Sequence, residues 1–283
     1  MISIGSKRYK YWLRISAIFF SKSLFLKKLC LFNKDFKSLS NIAINTKKRL
    51  FILGTGSSIN TITKEQFKVM KSDNALTIGL NGWVFHKFIP DIYSLEFDSR
   101  GKDTGADSII NKAIIRCSSL KKEQQPIIFL KTQLDGRNLK EYSFNYCKKI
   151  YFYNHLRLDD SSSKNYYTSL VFLMKIIKKS KKSFLSNFLL GSGSSIERIL
   201  SYGIISGYKE IIILGADLAG PHFYDKSFNS KQIVHRTNDR KYRDLTVEDM
   251  MKQYKKVAKK YGVKISVQSD TSPLAKFLPV FKW

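Results

Sequence analysis

The chain has 283 residues, 43% of them hydrophobic and 13% aromatic, with 5 prolines and 15 glycines. This excludes a mainly disordered polymer and fits one large domain with a smaller appendage. Fifty Lys and Arg against 22 Asp and Glu leave a formal charge of +28, so nucleotides, polyanions or acidic membrane surfaces are the expected partners. Three cysteines (Cys30, Cys117, Cys147) with no CxxC pair, and only four histidines, argue against a disulfide framework or zinc knuckle and point to a reducing compartment.

Residues 1–48 form a basic region of their own, carrying eleven Lys or Arg and a single acid, Asp35. Aromatic and apolar clusters alternate with the bases, among them Trp12, Phe19, Phe20 and Phe25. Such a segment either lies as an amphipathic helix in an anionic lipid interface or docks on the domain with its lysines in water. Its longest apolar stretch is bounded by Arg14 and Lys22, far short of the roughly 20 residues that cross a membrane. No small-residue cleavage site follows it, so a signal peptide is not expected. No nucleic-acid-binding motif accompanies the charge.

From Arg49 onward, short apolar runs alternate with helical periodicity, the signature of an α/β sheet. Leu50–Leu53 reads as a buried strand followed by the turn Gly54-Thr55-Gly56-Ser57-Ser58. A helix starts at Thr63-Lys64-Glu65-Gln66 with capping-box spacing. Strands follow at Ala75–Leu80, Asp91–Phe97, Pro126–Leu130 and Lys149–Tyr153. A helix over 166–177 places Tyr167, Leu170, Val171, Met174 and Ile177 on one face. Ser194-Ser195-Ile196-Glu197 opens another capped helix that ends near Gly207, before the most apolar strand, Glu210–Gly215. The helix from about Val247 to Tyr261 stops at Gly262, and Val263–Val267 is the last strand. Residues 219–243 are polar and aperiodic, the mark of a functional lid or of a disordered loop. The organisation is therefore a basic segment at 1–48 and a domain at 49–283 with its lid about 219–243.

Three strand ends carry polar or glycine-rich turns: Gly54–Ser58, Asn81-Gly82 and Gly215-Ala216-Asp217. In open parallel sheets, ligands bind at the carboxyl ends of strands, where helix N-termini offer N–H groups to phosphate. Gly54, Thr55, Gly56 and Ser58 suit an anion approached closely by backbone, and Gly191–Ser195 is a second candidate cradle. Steric need alone also places glycines in such turns. Glu96-Phe97-Asp98 superficially has the look of a metal-binding DxD, although acids just past a strand are common. His86 and His155 read as ordinary packing or surface residues. His222 and His235 lie in the lid span, where an imidazole titrating near neutrality can serve as a base.

Taken together and in this order, the pieces resemble the bacterial sialyltransferases of glycosyltransferase family 42. Leu53-Gly54-Thr55-Gly56-Ser57-Ser58-Ile59 is similar to that family's opening strand and nucleotide turn. Asn81 falls where the family uses an asparagine on its donor. Ser194-Ser195 with Gly207–Asp217 resembles the central helix–strand unit. Val234–Asp239 sits where the family carries a catalytic histidine, and Val263–Ser266 with Ser272–Leu278 resembles the closing strand and helix. The resemblance spans about residues 49–280. It implies a doubly wound, mostly parallel sheet of variant Rossmann type with a small lid. It also implies metal-independent, inverting transfer of sialic acid from a CMP donor to a surface glycan or glycolipid, without a cofactor.

On that resemblance, His235 is the general base and Tyr224 assists the departing phosphate. Gly54, Thr55, Gly56, Ser58, Asn81, Glu96, Ser194, Ser195, Gly215 and Asp217 line the donor site, and no residue binds metal. The expected setting is lipopolysaccharide or capsule synthesis on the inner face of the cytoplasmic membrane, with homo-oligomerisation left open. Three departures touch donor choice: Thr55 replaces an asparagine, Ala219 replaces one of two tyrosines, and Glu96 stands where an asparagine is expected. Another nonulosonic acid, or Kdo, on CMP therefore stays open. Two other classes compete. A pterin pyrophosphokinase-like enzyme would need ATP and Mg²⁺, with carboxylates gathered from Glu96, Asp98 and Asp217. A non-enzymatic polyanion- or membrane-binding protein would show salt-sensitive binding and no cytidine selectivity.

Overall fold

The computed structural model describes residues 36–37, 48–72, 74–96, 106–131, 147, 150–158, 162–179, 188–218, 222–223 and 245–283. His235, Tyr224, Asp98 and Ala219 lie outside the described residues, as do most of the lid span and most of the N-terminal segment.

Nine strands are described: β1 (Phe36–Lys37), β2 (Arg49–Leu53), β3 (Ala75–Leu80), β4 (Ile92–Glu96), β5 (Ile127–Lys131), β6 (Ile150–Arg157), β7 (Phe188–Gly191), β8 (Glu210–Leu214) and β9 (Lys264–Val267). They form one sheet in the order β1-β6-β5-β4-β3-β2-β8-β9, with β7 pairing the far end of β6. Every named pairing is parallel. The strands are short apolar runs because both faces of the sheet are covered by helices. In β2, Leu50 and Ile52 point into one core while Phe51 and Leu53 point into the other, and all four are fully buried.

Five α-helices are described: α1 (Lys64–Met70), α2 (Ala106–Ser118), α3 (Ser163–Lys179), α4 (Ser195–Ser206) and α5 (Val247–Lys260). Buried residues of α3, α4 and α5 fill one core, and those of α1 and α2 fill the other. Capping boxes open α1 at Thr63, α4 at Ser194 and α5 at Thr246. Gly207 closes α4 with φ +86°, a left-handed conformation that glycine adopts without steric cost.

The chain builds the sheet outward from β2 through β3, β4 and β5 to β6, then returns to lay β8 against the opposite edge of β2. Strand order reverses between β2 and β8, so the crevice beyond their carboxyl ends is the topological switch point of a doubly wound fold. The expected α/β architecture is present. Three elements go beyond the sequence reading: α2, β7 and β1. The last lies inside the 1–48 span yet pairs with β6, Phe36 opposite Ile150. Among the described residues no helix is long and apolar enough to cross a membrane.

Candidate active site at the switch point

The turns after β2 and β8 are knitted together. The Gly54 N–H donates to Leu214 O at 2.8 Å and the Gly56 N–H to Gly215 O at 2.9 Å. A Cβ on Gly54 would stand 2.5 Å from the Gly215 carbonyl oxygen, so this glycine is required by the neighbouring backbone. The Asp217 carboxylate accepts the Ser58 N–H at 2.9 Å and the Ser58 hydroxyl at 2.5 Å, with Ser57 Oγ at 3.4 Å. An internal carboxylate thus occupies the position in which an incoming anion was expected. Thr55 Oγ1 remains at the crest, 2.9 Å from His222 Nδ1.

The Gly191–Ser195 cradle is likewise filled from within. Glu197 Oε2 accepts the N–H groups of Ser192, Gly193 and Ser194 at 3.1–3.2 Å, and Oε1 accepts the Tyr166 hydroxyl at 2.9 Å. Full burial raises the Glu197 pKa, while these donors work against that rise. The capping-box glutamate is therefore the ligand of its own loop.

A second polar cluster forms at other strand ends. Asn81 leaves β3 with φ +42°, a left-handed conformation that asparagine tolerates better than most residues. Its Nδ2 donates to Ser195 Oγ at 3.2 Å, and its Oδ1 accepts the Glu96 N–H at 3.0 Å. Three residues 114 positions apart in sequence at the extremes thus meet at one point: Asn81 after β3, Glu96 ending β4, and Ser195 opening α4. Glu96 Oε1 accepts from Ser195 Oγ and from Arg198, and Oε2 accepts from Lys131 Nζ at 3.2 Å. Arg198 also donates to Ser195 Oγ and to Gly193 O, both at 3.2 Å, and its side chain is fully buried.

Of the expected site residues, the structure gathers Asn81, Glu96 and Ser195 in one cluster. Gly54, Thr55, Gly56, Ser58, Gly215 and Asp217 form a second cluster at the switch point. Ser194 caps α4, its hydroxyl accepting the Ile196 N–H at 3.2 Å. His235 and Tyr224 fall outside the described residues. Sequence reasoning missed Arg198 and Lys131. Arg198 is fully buried in α4 beside the equally buried Glu197, and a buried arginine signals a carboxylate partner that spacing alone could not name. Among the described residues no group of three or more His, Cys, Asp and Glu side chains is arranged to hold a metal ion.

The fold and this edge define a doubly wound α/β protein with two polar clusters at the carboxyl ends of its strands. In solved structures, the chain is similar to the sialyltransferase CstII from Campylobacter jejuni in complex with the substrate analogue CMP-3FNeuAc. That match has 16% identity, covers 82% of this chain and 86% of that one, and has a TM-score of 0.45. It is also similar to CstII in complex with a trisaccharide acceptor and CMP, at 17% identity, 82% and 86% coverage, and a TM-score of 0.43. No family model and no curated protein matches the chain.

Proposed function

We propose that this protein is a glycosyltransferase that moves sialic acid, or a related keto-sugar acid, from a CMP-activated donor to a bacterial surface glycan. The observation that carries this reading is the convergence of Asn81, Glu96 and Ser195 beside the Thr55 turn, at the carboxyl edge of a doubly wound sheet. These are the strand ends to which the sequence resemblance assigns donor recognition. The donor lies across Thr55, Asn81 and Ser195, with the Lys131 and Arg198 cations behind Glu96 adding positive potential for its anionic groups.

In this mechanism His235 takes the proton from the acceptor hydroxyl as its oxygen attacks the anomeric carbon, and the bond from that carbon to the CMP phosphate oxygen breaks on the opposite side. Inversion follows from that single displacement. An imidazole with an ordinary pKa of about 6.5 suits proton removal near neutral pH. The leaving phosphate gains charge as it departs, and the Tyr224 hydroxyl stabilises it by donating a hydrogen bond, without a metal ion. His222, held at the crest by Thr55, stands ready to share that charge.

The pyrophosphokinase reading needs carboxylates free to gather cations. Glu96 is instead engaged by Arg198 and Lys131, and Asp217 by Ser58. The test is CMP release from CMP-sialic acid and CMP-Kdo with glycan acceptors, with and without EDTA. Transfer should persist in EDTA, and His235→Ala should lower turnover roughly 10²–10⁴-fold while CMP still binds. Near-normal turnover in His235→Ala, or activity abolished by EDTA, would sink this mechanism.

A further inference from the structure

On the α1/α2 side of the sheet, immediately beside Thr55, the surface opens into a groove of about 590 Å³. Its walls are aromatic. Phe67 packs against Phe88 with ring centroids 4.8 Å apart, and His86 lies over the fully buried Trp83 at 4.5 Å. Phe223 closes the near end, edge-on to both Trp83 (5.5 Å) and His86 (5.2 Å). Its N–H donates to Thr55 O at 3.0 Å, so the groove begins one residue from the switch-point turn.

The rim is cationic. Lys64 and Lys87 line the groove and are exposed, and among the described residues neither pairs with a carboxylate. Among the described residues no acidic side chain lines the groove. Lys64 is the first residue of α1, where the helix dipole disfavours a cation, so helix stability does not account for it. Burial first, then the charges of Arg116 and Lys87, lower the His86 pKa to about 4. Its Nδ1 accepts the Phe88 N–H at 3.0 Å, so the ring is neutral and fixed as part of the wall.

We propose that this groove is the acceptor subsite, and that it takes an anionic oligosaccharide. Pyranose faces lie against the aromatic walls, while a carboxylate or phosphate substituent pairs with Lys64 and Lys87. The proposal rests on the glycosyltransferase reading above. A sugar chain matches flat aromatic walls continuous with the donor edge, and the unpaired lysines require that it be acidic.

The experiment compares the wild type with Lys64→Gln/Lys87→Gln, two exposed positions whose replacement spares the core. A trisaccharide ending in a uronic acid and its neutral hexose counterpart serve as acceptors. The double variant should raise KM for the acidic acceptor about tenfold, leaving the neutral acceptor and the CMP Kd unchanged. An unchanged acidic KM overturns the proposal. So does a matching loss of CMP affinity, which would make the groove part of the nucleotide site. If no CMP donor supports transfer, the transferase reading fails separately. The groove is then judged by saturation-transfer NMR with the acidic trisaccharide: binding lost in the double variant supports it, and binding that is absent or unaltered overturns it.

Discussion

Glu96 shows how a single side chain changes the character of an edge. Where the sequence resemblance expects a neutral asparagine, the structure has a carboxylate shared by a fully buried arginine and by Lys131. A buried guanidinium without such a partner would be strongly destabilising, so Glu96 and Arg198 stand or fall together. His86 is the residue whose protonation the fold resists most visibly. Its pKa drops to about 4 from an ordinary 6.5, so above pH 6.5 it is neutral in both folded and unfolded chains. Between about pH 6.5 and 4 the unfolded chain takes up a proton that the folded one refuses, and stability falls with pH through that window. His86→Asn keeps an acceptor for the Phe88 N–H and removes the titration. Urea unfolding should show a flatter acid limb in this variant between pH 6.5 and 4. An identical limb would mean that His86 is not the group responsible.

At the scale of elements, much of the fold was legible. The strands at 49–53, 75–80 and 210–214 are mostly apolar runs, and the capping boxes at Thr63 and Ser194 are local signals read locally. α2 was missed because its buried residues, Ile110, Ala113 and Cys117, share the helix with an Ile115 that is 59% exposed, which blurs the stripe. β7 was missed because four buried residues read equally well as strand or helix. In the site, the residues at strand ends were legible, but their partners were not. Asp217 capping Ser58 and Glu197 filling the Gly191–Ser195 loop depend on contacts that only the folded chain creates. The N-terminal segment poses an element-scale question of its own, because β1 at its end belongs to the sheet. We propose that residues 1–34 are the part that binds an anionic membrane surface, where each base contributes roughly 1 kcal/mol. Removing 1–34 should abolish sedimentation with anionic liposomes while leaving transfer to a soluble acceptor intact. Undiminished sedimentation would contradict this assignment.

Across the whole molecule, a charge of +28 favours anionic ligands, the class to which the proposed donor and acceptor both belong. The net charge alone would fit any polyanion, and the proposed function assigns selectivity to the polar cluster at Asn81, Glu96 and Ser195. Selectivity for cytidine separates a CMP-dependent transferase from an ATP-dependent kinase and from a simple polyanion binder. The most direct measurement is calorimetric titration of the full chain with CMP, AMP, GMP and Mg·ATP at physiological salt, repeated with Asn81→Ala. A CMP-dependent transferase binds CMP at least about tenfold more tightly than the purine nucleotides, and loses much of that preference in Asn81→Ala with its fold intact. Equal affinity for all four nucleotides, or tightest binding to Mg·ATP, would contradict it.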